Sequence, residues 1–176
     1  MKLNNGKFSI RYATAQDARQ LQTWWNDGAI MAHAGYPNGL GISVEKIVNQ
    51  LAFDNDFKRR LIIELDGQPI GEMSFRTPVE NTAEIGIKIC NAAQRDKGYG
   101  SIYLKMLMAY LFNERSYERI ILDTNLQNER AQHVYEKLGF HKLRVNINAW
   151  KDQSGQLQSS VDYEMTREAY LQLYGE

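Results

Sequence analysis

Between residues 83 and 112 the apolar period of the chain changes from two to about 3.6 across a loop that holds Gly98 and Gly100. Ala83 to Cys90 (AEIGIKIC) is apolar at Ile85, Ile87 and Ile89, the alternation of a strand with one buried face. Tyr99 to Phe112 carries Ile102, Leu104, Met106, Leu107, Met108 and Leu111, which gives a helix a broad apolar surface. A strand, a short glycine loop and a helix in this order set the start of the helix beside the end of the strand. The first amides of such a helix have no intrahelical partner, and its dipole favours an anion there. Glycine at 98 and 100 lets the backbone approach a phosphate with no Cβ in the way, and Arg95 and Lys97 add charge. Gly-x-Gly alone does not separate this reading from a tight turn with a basic surface. A dinucleotide fingerprint needs a third small residue at position 103, which is Tyr103, and an early strand of a parallel sheet.

The rest of the chain sets the fold class. Phe8 to Tyr12, Arg60 to Leu65, Pro69 to Phe75, Arg119 to Asp123, Phe140 to Trp150 and Ser159 to Met165 read as further strands. Asp66-Gly67 and Ser154-Gly155 mark hairpin turns. Thr14 and Asp17 make an acidic capping box before a helix with Ala18, Leu21, Trp24 and Trp25 on one stripe. Ser43 caps a second helix (Val44, Ile47, Val48, Leu51), and Asn128 to Leu138 is a later one stopped by Gly139. The pattern is α+β, with about seven strands in one mixed, mostly antiparallel sheet and one parallel crossover between 83–90 and 119–123.

Length and composition fit a single domain over residues 1–176. Acidic and basic residues balance at 21 each, so net charge does not favour nucleic acid or a membrane surface. One cysteine, Cys90, permits no intramolecular disulfide, and the three histidines show no metal spacing, so no metal is expected. No apolar run approaches the ~20 residues of a membrane span, and the first residues lack a signal-peptide core. The expected location is cytoplasmic.

The segment Asn128-Glu129-Arg130-Ala131-Gln132-His133-Val134-Tyr135-Glu136-Lys137-Leu138-Gly139-Phe140 follows the strand at 119–123. Arg95-x-x-Gly98-x-Gly100 together with Asn128-x-x-Ala131-x-x-x-Tyr135 resembles the GNAT superfamily of acetyl-CoA-dependent N-acetyltransferases. Trp24-Trp25-Asn26-Asp27 and the late hairpin are similar to the subgroup of ribosomal-protein N-terminal and spermidine acetyltransferases. The resemblance implies helices on both faces of the sheet and acetyl-CoA as the acetyl donor. It implies a small-molecule amine or a peptide N-terminus as acceptor. Relatives in the superfamily dimerise, although no feature of this sequence demands a homodimer.

The resemblance also assigns roles, each set against a plain structural one. The main chain at Ile87, Lys88 and Ile89 would grip the pantetheine arm by strand addition while the isoleucine side chains pack. Arg95, Asp96, Lys97, Gly98, Tyr99, Gly100 and Ser101 would hold the pyrophosphate. Asn128 would bond the cofactor, cap its helix, or do both. Tyr135 would be the general acid for the departing thiolate, or a packing tyrosine. Glu84 ranks first as general base and Glu72 second, against a solvated carboxylate for each. Cys90 is read as packing and His133 as exposed. The acceptor would lie between Trp24, Trp25, His33 and Tyr36 on one side and Trp150, Asp152, Asp162 and Tyr163 on the other. Two competing readings are a catalytically silent acyl-CoA-binding module and a nucleotide-binding regulator.

Overall fold

A polar opening segment hides a strand. β1 (Lys2–Asn5) pairs antiparallel with β2 (Phe8–Tyr12) across a two-residue turn whose first position, Gly6, has φ 58°. A 3₁₀ turn (Ala15–Asp17) leads into α1 (Ala18–Trp25), and the Thr14 amide donates to Asp17 Oδ2 at 2.8 Å, the acidic half of the expected box. α2 (Gly28–Met31) is a single turn capped by Asp27, and α3 (Val44–Ala52) starts at Ser43, whose Oγ accepts from the Lys46 amide. β3 (Lys58–Leu65) and β4 (Gln68–Val79) meet at Asp66-Gly67, both with positive φ (49° and 75°), as a type I′ turn requires. β5 (Thr82–Ile89) completes the meander. α4 (Tyr99–Ala109) follows and widens into a π turn over Tyr110–Glu114. Then come β6 (Arg119–Asn125), α5 (Glu129–Lys137), β7 (His141–Lys151), β8 (Leu157–Thr166) and α6 (Arg167–Tyr174).

This computed structural model describes residues 1–175, and its strands form one eight-stranded sheet in the order β1-β2-β3-β4-β5-β6-β8-β7. All neighbours are antiparallel except β5 and β6, the expected crossover. The count exceeds the expected seven by β1, whose polar sequence shows no alternation because an edge strand need not bury a face. α6 was also not foreseen. It is one short helix capped by Thr166, with Tyr170 as its single buried side chain, too little periodicity to stand out.

Alternate residues of β3 show how the layers form. Leu61 and Ile63 enter a core with Tyr103, Leu104, Leu107 and Met108 of α4 and Tyr135 of α5. Ile62 enters a second core with Leu21, Trp24 and Trp25 of α1 and Ile47 of α3. Burial on both sides explains why this central strand reads as an almost unbroken apolar run, and each such side chain contributes roughly 1.5–3 kcal/mol. The buried Glu64 is paired at once, accepting from Ser9 Oγ (2.9 Å) and Arg11 Nε (2.7 Å). The same guanidinium grips Asp17 through both terminal nitrogens, which ties the sheet to the first helix. No described helix is long and apolar enough to cross a membrane.

Candidate active site

Two parallel strands that pair briefly and then part leave main chain exposed inside a protein. β5 and β6 pair only over Thr82–Glu84 and Arg119–Ile121. β5 continues to Ile89 against β4 and β6 continues to Asn125 against β8, so the edges that face each other past Glu84 lack strand partners. A cleft of about 1120 Å³ occupies this fork. It exceeds the roughly 300–1,000 Å³ usual for one small ligand, which suits a site for two reactants.

The cleft passes through the sheet. On the α4/α5 side its wall includes Ile87, Ile89, Gly98, Gly100, Ser101, Leu104, Asn128, Val134 and Tyr135. Strand alternation turns Gly86 and Lys88 to the other side, where Ala29, Ile30, His33, Arg60, Glu72 and Trp150 complete the wall.

The start of α4 is built as an open anion seat. Gly98 occupies the N-cap position with φ 75°, which an L side chain adopts only with strain, and no side chain caps the helix. By contrast α3, α5 and α6 are capped by Ser43, Asn128 and Thr166. A Cβ added to Gly98 or Gly100 would meet no atom within 4 Å, so protein packing does not demand glycine there and open space above the backbone remains. Asp96, Gly98, Tyr99, Gly100 and Ser101 all border the cleft. The Tyr99 ring itself packs edge-on against Phe8 at 5.2 Å, so this residue offers the cleft its main chain.

Two basic residues differ from their expected places. Arg95 spends part of its guanidinium on its own strand: Nε donates to the Ile89 carbonyl (3.0 Å) and Nη2 to that of Cys90 (3.2 Å). It fixes the end of β5 and brings its charge along the cleft. Lys97 is exposed, reaches Gln94 and does not border the cleft. A cation that sequence reasoning overlooked, Arg130 in the first turn of α5, does border it and pairs with Asp96. Asn128 performs the capping role, accepting from the Ala131 amide at 3.3 Å, and also faces the cleft.

At the crossing stand Tyr135 and Asp123. The Tyr135 ring is buried against Tyr163 (centroids 5.6 Å apart) and Phe140. No hydrogen bond from another described residue holds its hydroxyl, and burial, with a smaller contribution from Asp123, pushes that hydroxyl up to about 12. It is therefore protonated throughout the neutral range. Asp123 stays accessible to solvent, yet the surrounding protein removes enough water to push its carboxyl above the usual carboxylate range. Glu84 and Asp162, its cross-strand partner, push it the same way. An acid ending the run RIILD carried no signal in the sequence; only the fork shows its use.

Glu84 is a correction. It borders not the cleft but an adjoining hollow of about 520 Å³, which shares Asp123 with the cleft and also holds Arg119, Leu143, Arg144 and Asp162, and both its oxygens accept from Arg76 (2.9 and 2.8 Å). Its side chain is on the right strand, but it sits where β5 is still paired with β6. Glu72 does face the cleft, though its oxygens are committed to Trp25 Nε1 (2.8 Å) and Arg60 Nη1 (2.9 Å).

The acceptor walls are partly as expected. The tip of the late hairpin is latched to the early loop: the Gln153 amide donates to Gly35 O (2.8 Å) and its side chain to Gly39 O (2.9 Å). His33 and Trp150 line the cleft. Trp24 and Trp25 are both core residues, and Tyr36 is exposed outside the cleft. Asp152 is used up by the hairpin turn, accepting from Ser154, Gln156 and Gln158, while Asp162 pairs with Arg144 at 2.7 Å. Tyr163 is buried and donates to Glu136. Cys90 is buried, and its thiol is pushed up to about 12 by burial and by Glu72, which leaves it protonated and inert. His133 is exposed.

Comparison with known proteins agrees with this geometry. The family model described as an acetyltransferase (GNAT) domain matches residues 7–141. The spermidine N(1)-acetyltransferase of Escherichia coli (strain K12) is 33% identical over 134 residues, covering 74% of this chain and 71% of that protein. An aminoglycoside N(6')-acetyltransferase type 1 from Klebsiella pneumoniae is 26% identical over 155 residues, covering 79% and 76%. The fold matches that of a Vibrio cholerae spermidine N-acetyltransferase solved with CoA and spermine (TM-score 0.82, 21% identity, 95% of this chain and 99% of that one). It also matches a ribosomal L7/L12 α-N-protein acetyltransferase solved with coenzyme A (TM-score 0.84, 17% identity, 96% and 99%). With a family match over most of its length and the open anion seat in place, the chain belongs to the GNAT family of acetyl-CoA-dependent N-acetyltransferases.

Proposed function

We propose that this enzyme moves acetyl from acetyl-CoA to a primary amine by direct attack with both reactants bound, that Asp123 takes the proton of the amine, and that Tyr135 hydrogen-bonds the departing sulfur. The observation that carries this reading is the through-sheet cleft, with an anion seat and Tyr135 on one face and Asp123 at the crossing. Bound acetyl-CoA supplies the thioester that the amine attacks. The free main-chain edge at Ile87 and Ile89 would take the pantetheine arm, the amides from Gly98 to Ser101 the pyrophosphate, and Arg95 and Arg130 would add positive charge beside it. The two curated relatives are named for amine acceptors, spermidine and aminoglycosides, which supports an amine here.

Asp123 takes the base role expected of Glu84. An acceptor amine arrives protonated, and only its neutral form attacks. A carboxylate whose affinity for protons is raised by its neighbours, and which solvent still reaches, suits that transfer. Tyr135 donates a hydrogen bond to the departing sulfur. With the phenol at about 12 and a thiol near ~8.5, complete transfer of its proton would run uphill by about 5 kcal/mol. It thus stabilises the thiolate without surrendering its proton, and solvent supplies the proton that ends on sulfur.

The test is thiol release from acetyl-CoA with a panel of amino acids, polyamines, aminoglycosides and N-terminal peptides, alongside acetyl-CoA binding by calorimetry. Binding with release to at least one amine supports the reading. Binding without release to any amine class makes the protein a silent acyl-CoA-binding module.

A further inference from the structure

The side of the cleft away from the anion seat carries an unexpected balance of charge. Lys88 projects there, between Ile87 and Ile89 in sequence but on the opposite face of β5, so its ammonium is turned away from the wall expected to hold the cofactor phosphates. Its nearest polar neighbours are Met31 Sδ at 3.4 Å and Glu72 Oε1 at 3.6 Å. A thioether is a weak acceptor, and the carboxylate lies beyond hydrogen-bond distance. The Lys88 side chain keeps 28% of its surface exposed, whereas Glu72 keeps 3%. Glu72 is already neutralised by Arg60 and bonded by the Trp25 indole, and Arg60 itself borders the cleft. The carboxylates expected on the acceptor wall, Asp152 and Asp162, do not border it, and neither does Glu84. With Arg60 set against Glu72, what remains on this side is one net positive charge at Lys88, and one negative charge at Asp123 beside the fork.

We propose that the acceptor is a small amino carboxylate, its amine directed to Asp123 and its carboxylate received by Lys88. This deepens the reading of the cleft as an amine acetyltransferase site and rests on it. A polyamine would set a second ammonium against Lys88, where the one nearby carboxylate, Glu72, is 3% exposed and already bonded by Arg60 and Trp25. An amino carboxylate instead places opposite charges at both ends, and Lys88, with three donors and no oxygen in range, gains the hydrogen bonds it lacks.

The experiment measures kcat and KM by thiol release for a series of amino carboxylates of increasing spacing (alanine, β-alanine, 4-aminobutyrate, 5-aminopentanoate). The matching carboxamides, spermidine and a dipeptide with an acidic second residue are run beside them. The best amino carboxylate is expected to exceed its carboxamide by about tenfold or more in kcat/KM. Lys88→Gln should abolish that ratio through KM, with acetyl-CoA affinity unchanged, and Lys88→Glu should shift preference toward spermidine. Spermidine as the best acceptor, or a carboxamide as good as its acid, overturns the proposal while amine transfer stands. Preference for the acidic dipeptide over every free amino carboxylate also overturns it, in favour of a peptide acceptor. Release to none of these compounds, with acetyl-CoA still bound, overturns this proposal; silence with aminoglycosides and the rest of the wider amine panel as well overturns the transfer reading. Because Lys88 pairs with Glu72, thermal melts of both variants accompany the kinetics, and Lys88→Met serves as a neutral variant that keeps the packing of the stem.

Discussion

Replacing Tyr135 by phenylalanine deletes one hydroxyl and leaves a ring that already packs against Tyr163 and Phe140. No described residue bonds that hydroxyl, so no buried partner is orphaned and folding stability should change by less than about 0.5 kcal/mol. For a chain of this size that is a melting shift within about 2 °C. In catalysis the hydroxyl donates to a sulfur that becomes anionic only as the C–S bond breaks. A hydrogen bond to a charged group is worth about 1.5–3 kcal/mol, so kcat should fall about 10- to 150-fold. Acetyl-CoA affinity should stay within about twofold, because the neutral thioester gains little from the same donor. With the phenol at about 12, the wild-type pH profile should show no loss from Tyr135 ionisation through pH 10. The measurements are steady-state thiol release, calorimetric acetyl-CoA binding and a thermal melt. A fall in affinity equal to the fall in kcat, or a melt lowered by many degrees, would refute the reasoning and make Tyr135 a packing or cofactor-binding residue.

Four more outcomes check other parts of the site. Gly100→Val, whose added Cβ meets no atom within 4 Å, should melt within a few degrees of wild type but weaken acetyl-CoA binding at least about tenfold; Gly98→Val, at φ 75°, should lose both binding and about 1–3 kcal/mol of stability. Asp123→Asn should cut kcat/KM by about 10²-fold or more and remove an acidic limb that lies above the ordinary Asp range. Folding raises this pKa, so the ionised carboxylate opposes stability at neutral pH and ceases to as pH falls; the variant should therefore melt no lower than wild type at pH 7. Glu84→Gln, which breaks only the half-exposed pair with Arg76, should change kcat/KM less than about threefold and stability less than about 1 kcal/mol by denaturant titration. Glu72→Ala strands the Arg60 charge and the Trp25 indole N–H, and should cost about 3 kcal/mol by the same titration.

Features that act through local chemistry were legible in the chain. The change of period around Gly98 and Gly100, the Asp66-Gly67 turn and the Ser43 and Asn128 caps depend on residues a few positions apart, and all are present; the parallel crossover followed from the strand–helix–strand order. Features that are relations between distant segments were not. Glu84 and Asp123 are both acids on neighbouring strands, and only the point at which β5 and β6 part puts one outside the cleft and the other at its crossing. Lys97 and Arg130 are both bases near the anion seat, and only the path of the backbone sends the first to solvent and the second to the cleft. Trp24 and Trp25 lie on one apolar stripe and at least one is expected in the core; the structure carries both there and leaves neither to the acceptor wall.

By itself, then, the sequence determined the α+β class, the order of the elements other than β1, α2 and α6, and the glycine loop at the start of α4, because period, glycine and caps are written in short windows, while its two motifs carried the family resemblance. The tertiary structure decided which charges face the acceptor. Strand alternation and the opening of the fork assign each side chain to one face or the other, and so leave Asp123 and Lys88 in the cleft while Glu84, Asp152 and Asp162 are engaged elsewhere.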